Sequence, residues 1–554
     1  MGDKTEKNSD FSWLIGVGLL IGLRLLWLAY QWLLKFIEVR THLYFVIVLG
    51  LATISLLIAL FVKKQKAVRR IRVKDKAITG PETGAVYCGH DEHGDKIYIK
   101  PRQRSMHTQV IGTTNAGKTE SVILPWAIQD IQQGRGLILI DGKADSSLLE
   151  KIWGYTVKAG REKDFKLFSL GNQEHSFPFN PLTGGTAEEI TERVFNAFEF
   201  ENPYYRALQY EVMGQIMRIM EANNVTPTFE RIVQLIVDMP ALQVQADQVA
   251  DTGLRHWVER YKLLSNSDRD MRTSGLLSSL GQFAQGKTGC LFNSLDNAIN
   301  LDEVLSKHQI VYFQLPVLLS PFLGKATGKL VLQSLQAAVA NRHRGQDKEK
   351  RFFSVFLDDF SEYLYPGFVS ILNKSRSANI GIVFAHQALG DIQALGDPIA
   401  NAILTNSNLK VFMRGNDPDS AEYFSKVIGT KTGMKFTERQ TKGLFNQMEA
   451  TGEMSAREVE EFLIHPNAFK RDLGVGQAIM LVPHEGGTKT VRIKFDRFPD
   501  IEVKNLPLVQ KKKLELLNYP KPKIPTSENG LKKNEESGTV EEGLNALIKN
   551  KSAA

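Results

Sequence analysis

A glycine, four loosely constrained residues and then Gly-Lys-Thr stand at Gly112 to Thr119, reading GTTNAGKT. Glycines at this spacing let backbone N–H groups turn inward, and the helix that follows presents its positive end to anionic oxygens. Gly112, Thr113, Thr114, Asn115, Ala116, Gly117, Lys118 and Thr119 therefore read as a phosphate-binding loop. Lys118 would reach the β and γ phosphates as a point charge, and the Thr119 hydroxyl would ligate Mg²⁺. The ligand this chemistry asks for is a nucleoside triphosphate, such as ATP, with Mg²⁺. The competing reading is an ordinary glycine turn, and the strand before the loop and the helix after it argue against that.

Such a loop needs a second carboxylate at the end of a neighbouring strand to hold the metal. FFSVFLDDF, residues 352–360, offers Asp358 for that role and Asp359, or else Glu362, to orient and polarise the attacking water. Paired aspartates also cap helices, which is the plainer alternative. Asp141, at another strand end, is a second choice for the metal. IGIVFAHQ ends in His386 and Gln387. The glutamine suits a hydrogen bond to the γ-phosphate or the water, and the histidine suits strand-end packing. No metal-binding His/Cys cluster and no nucleophile–base pair is evident from spacing, so nucleotide hydrolysis is the catalysis the residues support.

These residues need a frame. HTQVIG reads as a strand entering the loop and KTESVILPWAIQDIQQG as the helix leaving it. GLILIDGKAD, IVYFQLPVL, FFSVFLDD, IGIVFAHQ and NLKVFMRG read as short buried strands separated by helical stretches. That alternation predicts a doubly wound α/β sheet with function at the strand carboxyl ends. From 186 to 280 strand signals fade and helical periodicity takes over, which predicts an all-α insert dividing the nucleotide-binding domain into 80–185 and 281–502. A hairpin turning at Gly486-Gly487 closes the core. From 503 to 554 a polar, Pro- and Lys-rich stretch reads as a flexible tail.

Upstream, Ser12–Leu34 and Leu43–Val62 are apolar runs of the length an α-helix needs to cross a bilayer, so 11–62 reads as a two-helix transmembrane hairpin. Trp13, Trp27, Tyr30, Trp32 and Tyr44 suit its interfaces. Arg24 near mid-span requires a polar neighbour. The basic stretch Lys63–Lys76 within the linker 63–79 exceeds the charge of the Lys35–His42 connection. The positive-inside rule thus places residues 1–10 and the main body in the cytoplasm. Lipid headgroups explain the basic stretch more simply than DNA does. The chain of 554 residues carries a net charge of +8, compatible with a polyanionic partner without requiring one, and two cysteines, Cys88 and Cys290, too few for a disulfide framework.

The membrane hairpin, HTQVIGTTNAGKT, LILIDGKAD, FNPL at Phe179–Leu182, VYFQLP, FLDDFSEY, SRSANIGIVFAHQALGDIQ and NLKVFMRGNDPDSAEYFSKVIG follow in this order. Together they resemble the coupling ATPases of type IV secretion and bacterial conjugation, over roughly residues 80–500. The resemblance implies a RecA-like P-loop domain, a homo-hexameric ring in the bacterial inner membrane, and an arginine finger from the adjacent subunit. Arg376 matches that finger, with Arg414 as the other possibility, Gln387 matches the sensor glutamine and Asp358 the metal carboxylate. It also implies partners: single- or double-stranded DNA, relaxase and relaxosome proteins, and components of the secretion channel. Two departures stand out. The family usually has Asp-Glu where this chain has Asp358-Asp359, and the loop between the membrane helices is very short. Acidic residues outnumber basic ones between Glu188 and Arg272, so the DNA expectation rests on the resemblance. The alternatives are a coupling ATPase for protein effectors and a nucleotide-binding receptor at the channel with little turnover.

Overall fold

The computed structural model describes residues 18, 20–31, 83–345, 350–442, 448–511 and 516–517, and at 435–442 and 448–456 it describes the backbone alone. Of the two apolar runs, only residue 18 and the helix 20–31 fall within this range, with Leu20, Leu25 and Trp27 exposed. The rest of the expected hairpin, the basic stretch 63–76 and the tail beyond 517 lie outside it. Among the described residues no helix is long and apolar enough to cross a membrane.

The chain divides into two units. The smaller includes the helix 20–31 and the strand β2 (Lys96–Ile99), where the Tyr98 ring lies 5.3 Å from that of Tyr87. The larger holds the outer end of β1 (Val86–Asp91) and the chain from Lys100 onward.

A mixed sheet organises the larger unit. Its parallel part runs β9 (Leu409–Met413), β3 (Thr108–Ile111), β8 (Ile380–His386), β7 (Phe353–Asp358), β4 (Leu137–Asp141), β6 (Ile310–Gln314) and β5 (Phe165–Ser169). Every residue of these strands is buried, as parallel strands covered by helices on both faces require. Beyond β9 the sheet turns antiparallel through β12 (Gln477–His484) and β13 (Gly487–Phe495) to Gly89–Asp91 of β1. The β12–β13 turn comes at Glu485-Gly486, one residue before the expected Gly486-Gly487, because Gly487 already pairs with His484 as the first residue of β13.

Helices from Ala187 to Ala284 interrupt the sheet. Their starts are chemically marked. Thr186 and Glu189 form a reciprocal capping box, and Asn202, Thr228, Asp238, Asp251 and Ser265 each accept a first-turn backbone N–H. FNPL joins this segment to the sheet. The Phe179 ring sits 5.3 Å from Phe313 on β6 and 6.0 Å from Phe168 on β5, Leu182 is fully buried, and Asn180 donates to Pro227 O at 2.9 Å. Phe292 then bridges Phe168 to Phe283 and Phe229 of the helical segment.

Three features depart from expectation. FKLFS folds as β5, an edge strand not anticipated. β10 (Thr430–Lys442) and β11 (Met448–Phe462) pair antiparallel as a separate two-stranded sheet where no strands were foreseen. Residues 503–511, expected as the start of a flexible tail, are laid down on the core. The Trp153 indole donates to Lys504 O (2.8 Å), Val509 N donates to Glu174 O (2.9 Å), and Lys511 donates to Gln173 O. Just upstream the Tyr155 hydroxyl donates to Pro499 O at 2.8 Å. Farther on, Leu517 exchanges two hydrogen bonds with the Gln234 side chain.

Candidate nucleotide site

Parallel strands put their carboxyl ends on one edge, and the expected residues gather there. In β3 and β8, Ile111 stands opposite His386; in β4 and β7, Asp141 stands opposite Asp358. Because β8 lies between β3 and β7, the loop after β3 and the aspartates after β7 close over the end of β8, where Gln387 emerges.

The loop is held from both sides. Gly112 N donates to His386 O (3.3 Å), Thr113 N to Arg414 O (2.9 Å), and Gly476 N to Ala116 O (3.0 Å). Gly112 is required by contact: a Cβ there would stand 2.8 Å from Met413 Cβ. Gly117 is required by conformation, with φ +97°. Asn115 takes the left-handed region too, which asparagine tolerates better than most. One π-turn, Thr119–Ile123, leads into the helix Leu124–Gln132.

The Lys118 ammonium is folded against its own loop, donating to Gly112 O at 2.7 Å and Thr113 O at 3.2 Å. Burial lowers its pKa, and the nearby charge of Lys143 lowers it further. The Thr119 hydroxyl donates to Asp358 Oδ2 at 2.7 Å across the end of β8. Burial raises the Asp358 pKa, an effect that the Thr119 bond opposes. Asp359 has left-handed backbone angles (φ 47°, ψ 46°). Its Oδ2 lies 2.9 Å from Lys143 Nζ, and its Oδ1 is buried without a hydrogen-bond partner. Glu362, the other candidate for the water, instead pairs with Lys325 at 3.4 Å.

Gln387 accepts from the Thr114 hydroxyl at 3.2 Å, so it touches the loop directly. His386 behaves as the packed residue expected. One ring nitrogen, Nδ1, faces Ala388 O at 2.8 Å and must donate, which leaves Nε2 to accept from Gln109 Nε2 at 2.9 Å. Burial pushes its pKa down to about 4, so it stays neutral near pH 7. Gln109 in turn accepts from the buried Lys410 at 3.0 Å.

Asp141 is not free to serve as the second-choice metal carboxylate. Its Oδ1 accepts Lys143 N and Ala144 N, and its Oδ2 accepts Asp145 N and the Tyr312 hydroxyl. Burial, aided by the charge of Asp358, raises its pKa to about 6. The residue shapes the turn after β4 instead. Arg376 is not part of this gathering. It lies exposed in the turn before β8, at the opposite end of the strand from Gln387 and about 20 Å along it at 3.3 Å per residue. Arg414 flanks the loop of its own chain, its carbonyl accepting from both Thr113 N and the Thr113 hydroxyl.

Two residues that motif reading did not assign to the site belong beside it. Lys143 was visible only as part of the Asp-Gly-Lys block. Tyr363 is fully buried and donates to Asp358 O at 2.8 Å, fixing the backbone at the end of β7 from behind. Gly328, on the helix Pro321–Arg344, makes room for it: a Cβ would stand 2.6 Å from Tyr363 Cβ. Gly328→Ala is accordingly expected to destabilise by about 1–3 kcal/mol and to lower nucleotide hydrolysis by displacing Asp358. Denaturant midpoints and turnover measured together check this, and unchanged values for both would show that Tyr363 does not set the position of Asp358.

Comparison with known proteins agrees with this architecture. Residues 353–472 match a family model described as the TraM recognition site of TraD and TraG. The type 4 coupling protein DotL of Legionella pneumophila is 24% identical over 424 residues, covering 65% of this chain and 54% of its own length. The chain thus spans about half the length of this curated relative. Among solved structures, the bacterial conjugative coupling protein TrwB aligns in a sulphate-bound trigonal form with TM-score 0.55, 13% identity and coverage of 78% and 93% of the two chains. A TrwB complex with the GTP analogue GDPNP aligns at 0.54, with 13% identity and 79% and 94% coverage.

The likeness is to type IV coupling proteins.

At this low identity the TrwB match carries the fold alone, a RecA-like α/β domain with a large mixed sheet. The DotL match and the family-model match over residues 353–472 carry the likeness in sequence. That segment starts at the β7 strand bearing Asp358 and ends beyond the β10–β11 hairpin, so it includes Asp359, Arg376, Gln387 and Arg414.

Proposed function

We propose that this chain is a coupling ATPase of a type IV secretion system, anchored in the bacterial inner membrane by its amino-terminal hairpin, with a cytoplasmic body assembled as a homo-hexameric ring. In this reading it recruits a relaxase–DNA substrate and drives its transfer by ATP hydrolysis. The observation that carries the enzymatic part is the contact of Thr119 with Asp358 at 2.7 Å beside Lys118, Asp359 and Gln387. The donor set suits a small hard cation, since hydroxyl and carboxylate oxygens are what Mg²⁺ takes, with water and phosphate completing its shell.

Thr119 and Asp358 would hold Mg²⁺, which when bound neutralises charge on the phosphates. Lys118 exchanges its two loop carbonyls for phosphate oxygens. Asp359 accepts a hydrogen bond from the attacking water, and Gln387 aligns that water or the γ-phosphate. Arg376 stands too far along β8 to reach the loop of its own chain, which favours its use in a neighbour's site. Arg414, already beside its own loop, suits that delivery less.

Two observations support partner recognition. The likeness of residues 353–472 to a TraM recognition site favours docking of a protein on that segment. The acidic excess of the helical insert also favours a protein surface there, which gives the protein-effector reading its support. The deciding experiment is ATP hydrolysis by the full chain in detergent over a range of protein concentrations, with and without single- and double-stranded DNA. The expected outcome is a specific activity that climbs steeply with concentration and rises further with DNA. Indifference to both strand types at every concentration would leave the ATPase reading standing and replace the relaxase–DNA substrate with a protein.

A further inference from the structure

The turn after β4 is built to present one side chain. Asp141 holds the backbone N–H groups of Lys143, Ala144 and Asp145 at 2.9, 3.1 and 2.7 Å, and Ala144 takes a left-handed conformation (φ 59°) to allow it. Tyr312 fixes Asp141 from the far side at 2.9 Å. The residue held at the rim is Lys143. Its ammonium lies 2.9 Å from Asp359 Oδ2, while its side chain stays 52% exposed against 8% for the aspartate. The pair is therefore asymmetric: Asp359 is fixed and the lysine can swing. Asp359 is also held in backbone angles that cost a non-glycine residue about 1 kcal/mol or more, and such strain tends to sit at functional sites.

A lysine is a flexible cation with three rotatable donors, well suited to changing partners. The terminal phosphate of a nucleoside triphosphate offers more negative charge and more acceptor oxygens than one carboxylate. We propose that Lys143 is the triphosphate switch of this site: it pairs with Asp359 when no terminal phosphate is present, and transfers to that phosphate when a triphosphate enters, freeing Asp359 for the water. This rests on the ATPase reading above and adds to it. A diphosphate supplies no terminal group, so Asp359 stays occupied. The site thus distinguishes substrate from product by who holds the lysine.

The test uses binding, so that it does not depend on turnover. The full chain is titrated with fluorescent ADP and with a non-hydrolysable ATP analogue. In Lys143→Ala the preference for the analogue over ADP is expected to fall about tenfold, the scale of one charge-assisted hydrogen bond. Lys143→Arg should restore part of it. Asp359→Asn removes the competitor for Lys143 and should raise affinity for the analogue while leaving that for ADP unchanged. The double variant should match Lys143→Ala, because the two changes act through one contact. An analogue-to-ADP preference within twofold of the parent in Lys143→Ala overturns the switch, as does weaker analogue binding in Asp359→Asn. A parent that binds neither nucleotide would overturn the ATPase reading itself, and the switch with it. A parent that binds both, with Lys143→Ala indifferent, would remove the switch alone.

Discussion

Arg376→Ala should lower ATP turnover by about 10³-fold or more while leaving nucleotide binding nearly intact. An arginine supplied in trans acts on charge that develops during phosphoryl transfer, so its loss appears in kcat rather than in ground-state affinity. Lys118→Ala should be as inactive for a different reason. It removes the buried cation that touches the loop at Gly112 O and Thr113 O, so binding of the triphosphate falls as well. Lys118→Arg should not rescue it, because a planar guanidinium does not fit where a point charge is enclosed by backbone carbonyls. The two defects then allow a mixing experiment. In rings assembled from equal amounts of both variants, half of the loops are intact and half of those face an intact arginine, so about a quarter of parental activity should return. Two inactive proteins that stay inactive when mixed would mean that Arg376 serves its own chain or none.

The second large effect is on stability. Arg104, fully buried, meets Asp130 through two parallel hydrogen bonds of 2.8 and 2.7 Å, and Ser354 on β7 bonds both partners. The guanidinium also lies over the Phe352 and Trp126 rings, at 4.9 and 5.3 Å. Arg104→Ala would leave Asp130 in the interior with only Arg135 and Ser354 to satisfy it, and removing one partner of such a pair costs about 3–5 kcal/mol. The loss should appear as an earlier denaturation midpoint. Arg104→Ala/Asp130→Ala should be less damaging than the sum of the single variants, since the stranded charge is gone. A single-variant cost below about 1 kcal/mol would contradict this account.

Much of the site could be read from the chain because its signals are local. Gly112 and Gly117 announce a loop through spacing alone, and the helical periodicity from 186 to 280 announces the insert. Asp358 was legible because an apolar run leads straight into it. What escaped notice depends on partners far apart in sequence. Asp141 has the outward marks of a metal carboxylate, yet both its oxygens are committed to a turn and to Tyr312, 171 residues away. The bond of Lys143 to Asp359 and that of Arg104 to Asp130 are of the same kind. β5 was missed because it is short and carries Lys166 in mid-strand. The β10–β11 hairpin was missed because its residues are largely polar and follow no clean alternation.

The ties made by residues 499–511 and by Leu517 give the molecule a mechanical property. Residues 499–511 are tied in turn to Tyr155, Trp153 and Glu174 beside the sheet, and Leu517 is tied to Gln234 on the helical insert. Near the first of these ties Asp500 pairs with Lys151, which also holds Glu120, the neighbour of Thr119. A load applied at the carboxyl terminus would break these ties one at a time, starting on the insert. It would reach the phosphate loop last. Such an attachment peels under small forces rather than snapping at a large one, and it zips closed again in the reverse order.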